Sequence, residues 1–226
     1  MPEPSAPQHG RPQAGTSNSG SVLGRLRPTS RTLPGFEHVN RYWDPVEKRF
    51  CAKILPGEFY VTVQDELIAT TLGSCISACI RDPLAGVGGM NHFMLPEGDS
   101  SVVSASARYG TFAMESLINT MLKHGCMRGR MEVKVTGGGQ LTGGMDVGQR
   151  NTAFVREFLS REGFRILSED VLGDQPRKVL FDPLTGRLRV KKLNSLKNDT
   201  LQMRETSYRR KLAVEQSTPA GDVELF

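Results

Sequence analysis

Two side chains near the middle of the chain have the types and spacing for nucleophilic chemistry: Cys75, directly after Gly73-Ser74, and His92, 17 residues further on. A free thiol has a reference pKa of about 8.5 and is only a few per cent thiolate at neutral pH, so a nucleophilic cysteine needs a base or a positive field beside it. Lowering that pKa by about two units is worth roughly 2.7 kcal/mol and makes thiolate the main form. A thiolate and an imidazole held together suit acyl transfer to a carboxamide. The sulfur attacks the carbonyl carbon, backbone N–H groups hold the oxyanion, the imidazole protonates the departing ammonia, and water hydrolyses the thioester. A Cys and a His in apolar strands also suit a buried core, so spacing alone leaves both readings open.

The elements that must position this pair are legible in outline. Phe59 to Val63 and Glu66 to Leu72 read as strands joined at Gln64-Asp65, rich in β-branched and aromatic residues. Cys75 to Ile80 reads as a third strand, and Val87 to Leu95 as its antiparallel partner across the turn from Arg81 to Gly86. That hairpin returns His92 past Cys75, while Gly73 lets backbone N–H groups approach a substrate carbonyl. Arg108 to His124 has the spacing of an amphipathic helix, with Met114, Leu117, Ile118, Met121 and Leu122 on one face and Gly125 as its stop. A strand at Met131 to Val135 runs into Gly137-Gly138-Gly139, and a helix from about Asn151 to Glu162 follows, with Asn151 favoured as its cap over a contact of Arg150 and Asn151 with the site or a partner. Strands at Phe164 to Leu167, Lys178 to Asp182 and Arg187 to Leu193 complete the pattern. The fold class expected is α+β: a mixed, largely antiparallel sheet core covered by helices, without internal repeats or Rossmann alternation.

The 226 residues, 38% hydrophobic and 23% charged, suffice for one domain. Residues 1–35, rich in Pro, Gly, Ser and Gln, read as a disordered arm; 36–194 as the domain; and 195–226 as a flexible tail with weak helical spacing at Leu201, Tyr208 and Leu212. The apolar end of that tail, Asp222 to Phe226, reads as a disordered terminus without a role, with docking on a partner as the alternative. No run approaches the roughly 18 to 20 apolar residues of a membrane helix, and the first residues lack a signal peptide's apolar run, so a cytoplasmic protein without membrane insertion is expected. The net charge of +5 lies in the ends, leaving 18 basic against 18 acidic residues in 36–190, which argues against nucleic-acid binding. Cys51, Cys75, Cys79 and Cys126 read as free thiols. Cys75 and Cys79, about 13 Å apart along a strand, cannot share a metal with His92, and Gly137 to Gly144 lacks the Gly-Lys-Ser/Thr ending of a phosphate loop. Neither metal nor cofactor is expected.

Thr71-Leu72-Gly73-Ser74-Cys75, then Asp82-Pro83 and Gly88-Gly89-Met90-Asn91-His92-Phe93-Met94-Leu95-Pro96, resemble the signature of the CheD family of chemoreceptor glutamine deamidases. The likeness continues through Arg108-Tyr109-Gly110, the glycines at 137–139, Gly148-Gln149-Arg150-Asn151, Arg177-Lys178-Val179 and Thr185-Gly186, spanning about residues 54–193. The resemblance implies a CheD-like cysteine hydrolase fold that needs no cofactor, with Cys75 as nucleophile and His92 as general base and acid. It implies receptor glutamines as substrates and a CheC-type phosphatase as a protein partner. The family's third catalytic position, a threonine six residues before the cysteine, is Ala69 here. Strand alternation would put Thr71 on the face of Ala69 and Cys75, which nominates Thr71, or a backbone carbonyl, to orient His92, with the adjacent Thr70 left open as its replacement. The substrate being a helical coiled coil, a shallow groove is expected beside Cys75. A non-catalytic adaptor of receptors or of the phosphatase is the alternative, and a thiol peptidase or transglutaminase using the same pair is a third possibility.

Overall fold

A computed structural model of the chain describes residues 32–96, 103–140, 147–193 and 199–217. One sheet joins β1 (Asn40–Asp44), β2 (Arg49–Lys53), β4 (Glu66–Leu72), β9 (Arg177–Phe181) and β10 (Leu188–Lys192), in that spatial order. The other has the order β3 (Phe59–Thr62), β6 (Val87–Asn91), β5 (Ile76–Asp82), β7 (Glu132–Gly137) and β8 (Ile166–Val171). Neighbours are antiparallel except β2 with β4 and β7 with β8. Helices α1 (Val103–Lys123), α2 (Val147–Arg161) and α3 (Asp199–Ser217) complete an α+β fold.

Hydrogen bonds and contacts define the layers. Tyr60 and His92 of the second sheet reach Glu66 and Thr70 of β4, so one face of that sheet looks onto the first. The other face meets α1: Asn91 Nδ2 donates to the carbonyl of Ala113, and Gly89 passes against Leu117. Glycine is needed there, because a Cβ at 89 would collide with the Tyr60 carbonyl as well as with Leu117. Ile68, Leu72, Val179 and Phe181 from the first sheet, Ile80, Met90, Val133 and Val135 from the second, and Met114, Leu117, Val155 and Leu159 from the helices form one continuous buried core.

The structure differs from the sequence reading in its two sheets, where one sheet core was expected, and in several elements. Strands β1 and β2 were not anticipated; their alternation is obscured by Arg41, Arg49 and Lys53, whose neighbours Cys51 and Ala52 are nevertheless fully buried. Helix α2 begins at Val147, so Asn151 lies inside it. The tail assigned as flexible carries α3, which docks because Tyr208 and Leu212, seen in the sequence only as weak spacing, are buried, with Tyr208 packed on Gly57. Residues 1–31, 141–146 and the apolar end at 222–226 lie outside the described residues.

Candidate active site

Cys75 stands where the chain leaves β4 in one sheet and enters β5 in the other. Each carbonyl of this crossing is held from outside: Gly139 N–H donates to Gly73 O (2.8 Å), Asn151 Nδ2 to Ser74 O (2.8 Å) and Gly138 N–H to Cys75 O (2.7 Å). The three glycines thus pass beside the site, at positive φ at Gly137 and Gly138. Asn151 is buried and not a helix cap: its Oδ1 accepts the Leu95 N–H (2.8 Å), tying the nucleophile's loop to the segment after His92.

With the carbonyls turned away, the amides of the crossing converge on one point. Gly73 N–H (2.8 Å), Ser74 N–H (3.0 Å), Ser74 Oγ (2.7 Å) and, at longer range, Cys75 N–H (3.4 Å) all donate to the carboxylate of Glu205 in α3. A cluster of backbone N–H groups beside a thiol is the arrangement that holds an oxyanion. Glu205 is buried, and Cys75 has no exposed surface. Burial, then the charge and hydrogen bonding of Glu205, push the Cys75 thiol well above its usual pKa, so the thiol is protonated in this conformation.

His92 lies on the same sheet face as Cys75. Ile76 and Phe93 exchange both backbone hydrogen bonds (2.9 and 3.0 Å), continuing the register in which Cys79 faces Met90. Cys75 and His92 are therefore diagonal neighbours across the pair, with Cβ atoms separated by roughly 7–8 Å or somewhat less, within reach of an imidazole. The orienting hydroxyl is that of Thr70, which donates to Ile54 O (2.9 Å) and lies 2.8 Å from His92 Nδ1. A hydroxyl has one proton; with that proton on Ile54 O, Thr70 Oγ1 accepts from Nδ1–H. This assigns the tautomer that leaves Nε2 a base. Nε2 is buried and without a hydrogen-bond partner among the described residues, so thiol and imidazole are not bonded in this conformation. Burial lowers the His92 pKa to about 3, keeping the ring neutral.

Thr71 does not have the role assigned to it. Ile68 and Leu72 belong to the core between the sheets, whereas Ala69 and Leu67 pack with Cys51 and Leu180 in a separate cluster on the opposite face. Alternation therefore sends Thr70 inward to His92 and Thr71 outward. Thr71 would share the face of Cys75 only if the alternation of β4 ran on through Gly73-Ser74, but the chain changes sheets there and the parity is reset. Among the described residues no group of three or more His, Cys, Asp or Glu side chains is placed to hold a metal ion.

Comparison with known proteins places the chain in a family. A probable chemoreceptor glutamine deamidase CheD of Hahella chejuensis is 51% identical over 91% of this chain and 99% of its own length. The chain belongs to the CheD family. Proteins of the same description from Halorhodospira halophila (50% identical, 86% of this chain and 93% of that one) and Herminiimonas arsenicoxydans (54%, 83% and 95%) agree, and the family model CheD chemotactic sensory transduction matches residues 94–192. Overlap with a solved Neisseria meningitidis protein, NMB0706 of family model DUF152, has a TM-score of 0.31 at 14% identity, covering 51% of this chain and 52% of that one, too low to carry an argument.

In this CheD-family chain the sequence reading ranks two residues of the site second and misses a third. Thr70 stands in the sequence only as an alternative to its neighbour Thr71, and for Asn151 the sequence favours a cap over a contact with the site. Glu205 had a signal in the helical spacing Leu201, Glu205, Tyr208, Leu212, where it occupies a position on the buried face.

Proposed function

We propose that this chain is a cysteine-dependent chemoreceptor glutamine deamidase, with Cys75 as nucleophile, His92 as general base and acid, and Thr70 as the residue that orients His92. The observation that carries this reading is the convergence of the Gly73, Ser74 and Cys75 amides on one carboxylate beside the thiol. With a receptor glutamine in that place, its Oε1 lies among the amides. His92 Nε2 takes the thiol proton, sulfur bonds to Cδ, and the carbonyl electrons move to an oxygen held by the N–H cluster. As the intermediate collapses, the C–N bond breaks and ammonia leaves with the proton from His92. Water, deprotonated by Nε2, then hydrolyses the thioester to glutamate and free thiol. Ser74 Oγ adds a donor that the sequence did not single out.

The substrates are methyl-accepting chemotaxis receptors, as the names of the relatives suggest for this chain too. No helix among the described residues is long and apolar enough to cross a membrane, which accords with an enzyme working from the cytoplasm on the receptor's cytoplasmic coiled coil. A CheC-type phosphatase is the further protein partner that this reading includes. Purified protein incubated with a glutamine-containing receptor cytoplasmic fragment should give the mass gain of deamidation at discrete sites, and Cys75→Ala should give none. A gain that persists in the variant would exclude the thiol mechanism. No gain with receptor binding intact would make the protein an adaptor.

A further inference from the structure

The nucleophile is sealed by the chain's own helix. Along the inward face of α3 stand Glu205, Tyr208 and Leu212, all buried. Tyr208 lies against Gly57, where a Cβ would meet its ring at 2.8 Å, and its hydroxyl meets that of Tyr109. Glu205 is inserted between these anchors and the nucleophile's loop, its two oxygens taking up the amides that would otherwise bind a reacting carbonyl. A buried carboxylate is stable only where donors satisfy it, and here the donors are those of the candidate oxyanion site. A glutamate borne on a helix is also what deamidation of a helical glutamine produces.

We propose, on the deamidase reading above, that α3 occupies the seat of the substrate helix as an intramolecular product analogue, which a receptor helix must displace. Glu205 then marks the place of the target glutamine. The substrate residue three positions later packs where Tyr208 does, on Gly57 and Tyr109. A cleft lined by Gly57, Glu58, His92, Tyr109 and Phe112 shares Gly57 and Tyr109 with the seat of Tyr208, and Phe112, 71% exposed, stands on it as an uncovered apolar side chain. An enzyme whose competent state is only a fraction of the population has its apparent affinity for substrate reduced by that fraction. The helix thereby sets a threshold that a correctly spaced receptor segment overcomes and an isolated glutamine does not.

The full-length Glu205→Gln protein tests this directly, because α3 then presents a carboxamide to Cys75. Sulfur should bond to Cδ of residue 205 with loss of ammonia, and water should release a glutamate. Peptide mass spectrometry should therefore find residue 205 converted to Glu, and unconverted in the Cys75→Ala, Glu205→Gln double variant. If residue 205 stays Gln while the same protein deamidates a receptor fragment, α3 does not lie in the substrate seat and the inference falls, with the deamidase reading intact. If neither glutamine is converted, the deamidase reading itself is refuted. As a second measurement, Glu205→Ala combined with Tyr208→Ala in the full chain should lower the apparent KM for the receptor fragment by about tenfold and speed alkylation of Cys75 by iodoacetamide. Unchanged KM and unchanged alkylation would overturn the proposal.

Discussion

Strand β5 ends at a carboxylate on each side, and the two carboxylates are satisfied in opposite ways. At its far end Asp82 is buried and accepts the N–H groups of Leu84 (3.0 Å), Ala85 (3.1 Å) and Met127 (2.9 Å), with Arg130 paired at 2.8 Å. Two of those donors come from its own turn, so part of the network forms with the turn, and Met127 and Arg130 complete it from 45 and 48 residues away. At the near end the donors Gly73, Ser74 and Cys75 have no local acceptor and take the carboxylate of a residue 130 positions beyond Cys75. A network anchored in its own turn serves the fold. Donors left for a distant helix to fill can be emptied and refilled, which is what binding and turnover require.

The largest effects should separate these ends by activity and stability. Cys75→Ala should abolish deamidation, and His92→Gln should lower kcat by about 10²–10⁴-fold, both without loss of receptor-fragment binding or of thermal stability comparable to the next variant. Asp82→Ala should do the reverse. Removing it leaves Arg130 and three backbone donors without their buried acceptor, and breaking a buried pair costs about 3–5 kcal/mol. Its urea midpoint should fall accordingly, while the protein that remains folded keeps its kcat. Loss of kcat with full stability in Asp82→Ala would dissolve the distinction between the two ends.

How far each end was legible follows from the same contrast. Asp82-Pro83 announces a turn from residues adjacent in sequence, and the hairpin it closes fixed the partnership of β5 and β6 and hence the shared face of Cys75 and His92. Local periodicity equally revealed most of α1. The choice between Thr70 and Thr71 was not local: it depended on the chain changing sheets at Gly73-Ser74, which no period reports. Asn151 looked like a cap because the start of α2 was placed four residues late. Glu205 was hidden for a different reason. A charged residue on a polar helix reads as solvated, and only tertiary donors from 130 residues away make its burial tolerable.

Thr70 and Thr71 allow the near end to be resolved residue by residue. Thr70→Val removes the acceptor for Nδ1–H and leaves the buried ring free to change tautomer or rotate, so deamidation should fall by about tenfold to a hundredfold, within the contribution of a general base. Thr70→Ser keeps the hydroxyl and should restore most of that activity, which a packing defect alone would not. Thr71→Val, pointing to the other face, should leave kcat at the wild-type value. Loss in Thr71→Val and not in Thr70→Val would return the orienting role to Thr71.

The smallest effect is a slope in stability with pH, and its window tells the two ends apart. His92 has its pKa lowered from 6.5 to about 3 in the folded protein by burial. Between those values the unfolded chain binds a proton that the folded chain refuses, so stability is full above pH 6.5 and declines as pH falls, with a slope approaching about 1.4 kcal/mol per pH unit. For Asp82 burial acts to raise the pKa, but Arg130 and the Met127, Ala85 and Leu84 amides outweigh it and bring it from 3.8 down to about 2. Its stabilising contribution is present above pH 3.8 and is lost only as pH falls toward 2. Urea unfolding at pH 7, 6 and 5 therefore reads His92 without interference from Asp82, and His92→Gln should flatten the wild-type slope in that range. Equal slopes would mean that water reaches the imidazole in the resting protein, and that the near end is already open before any receptor helix arrives.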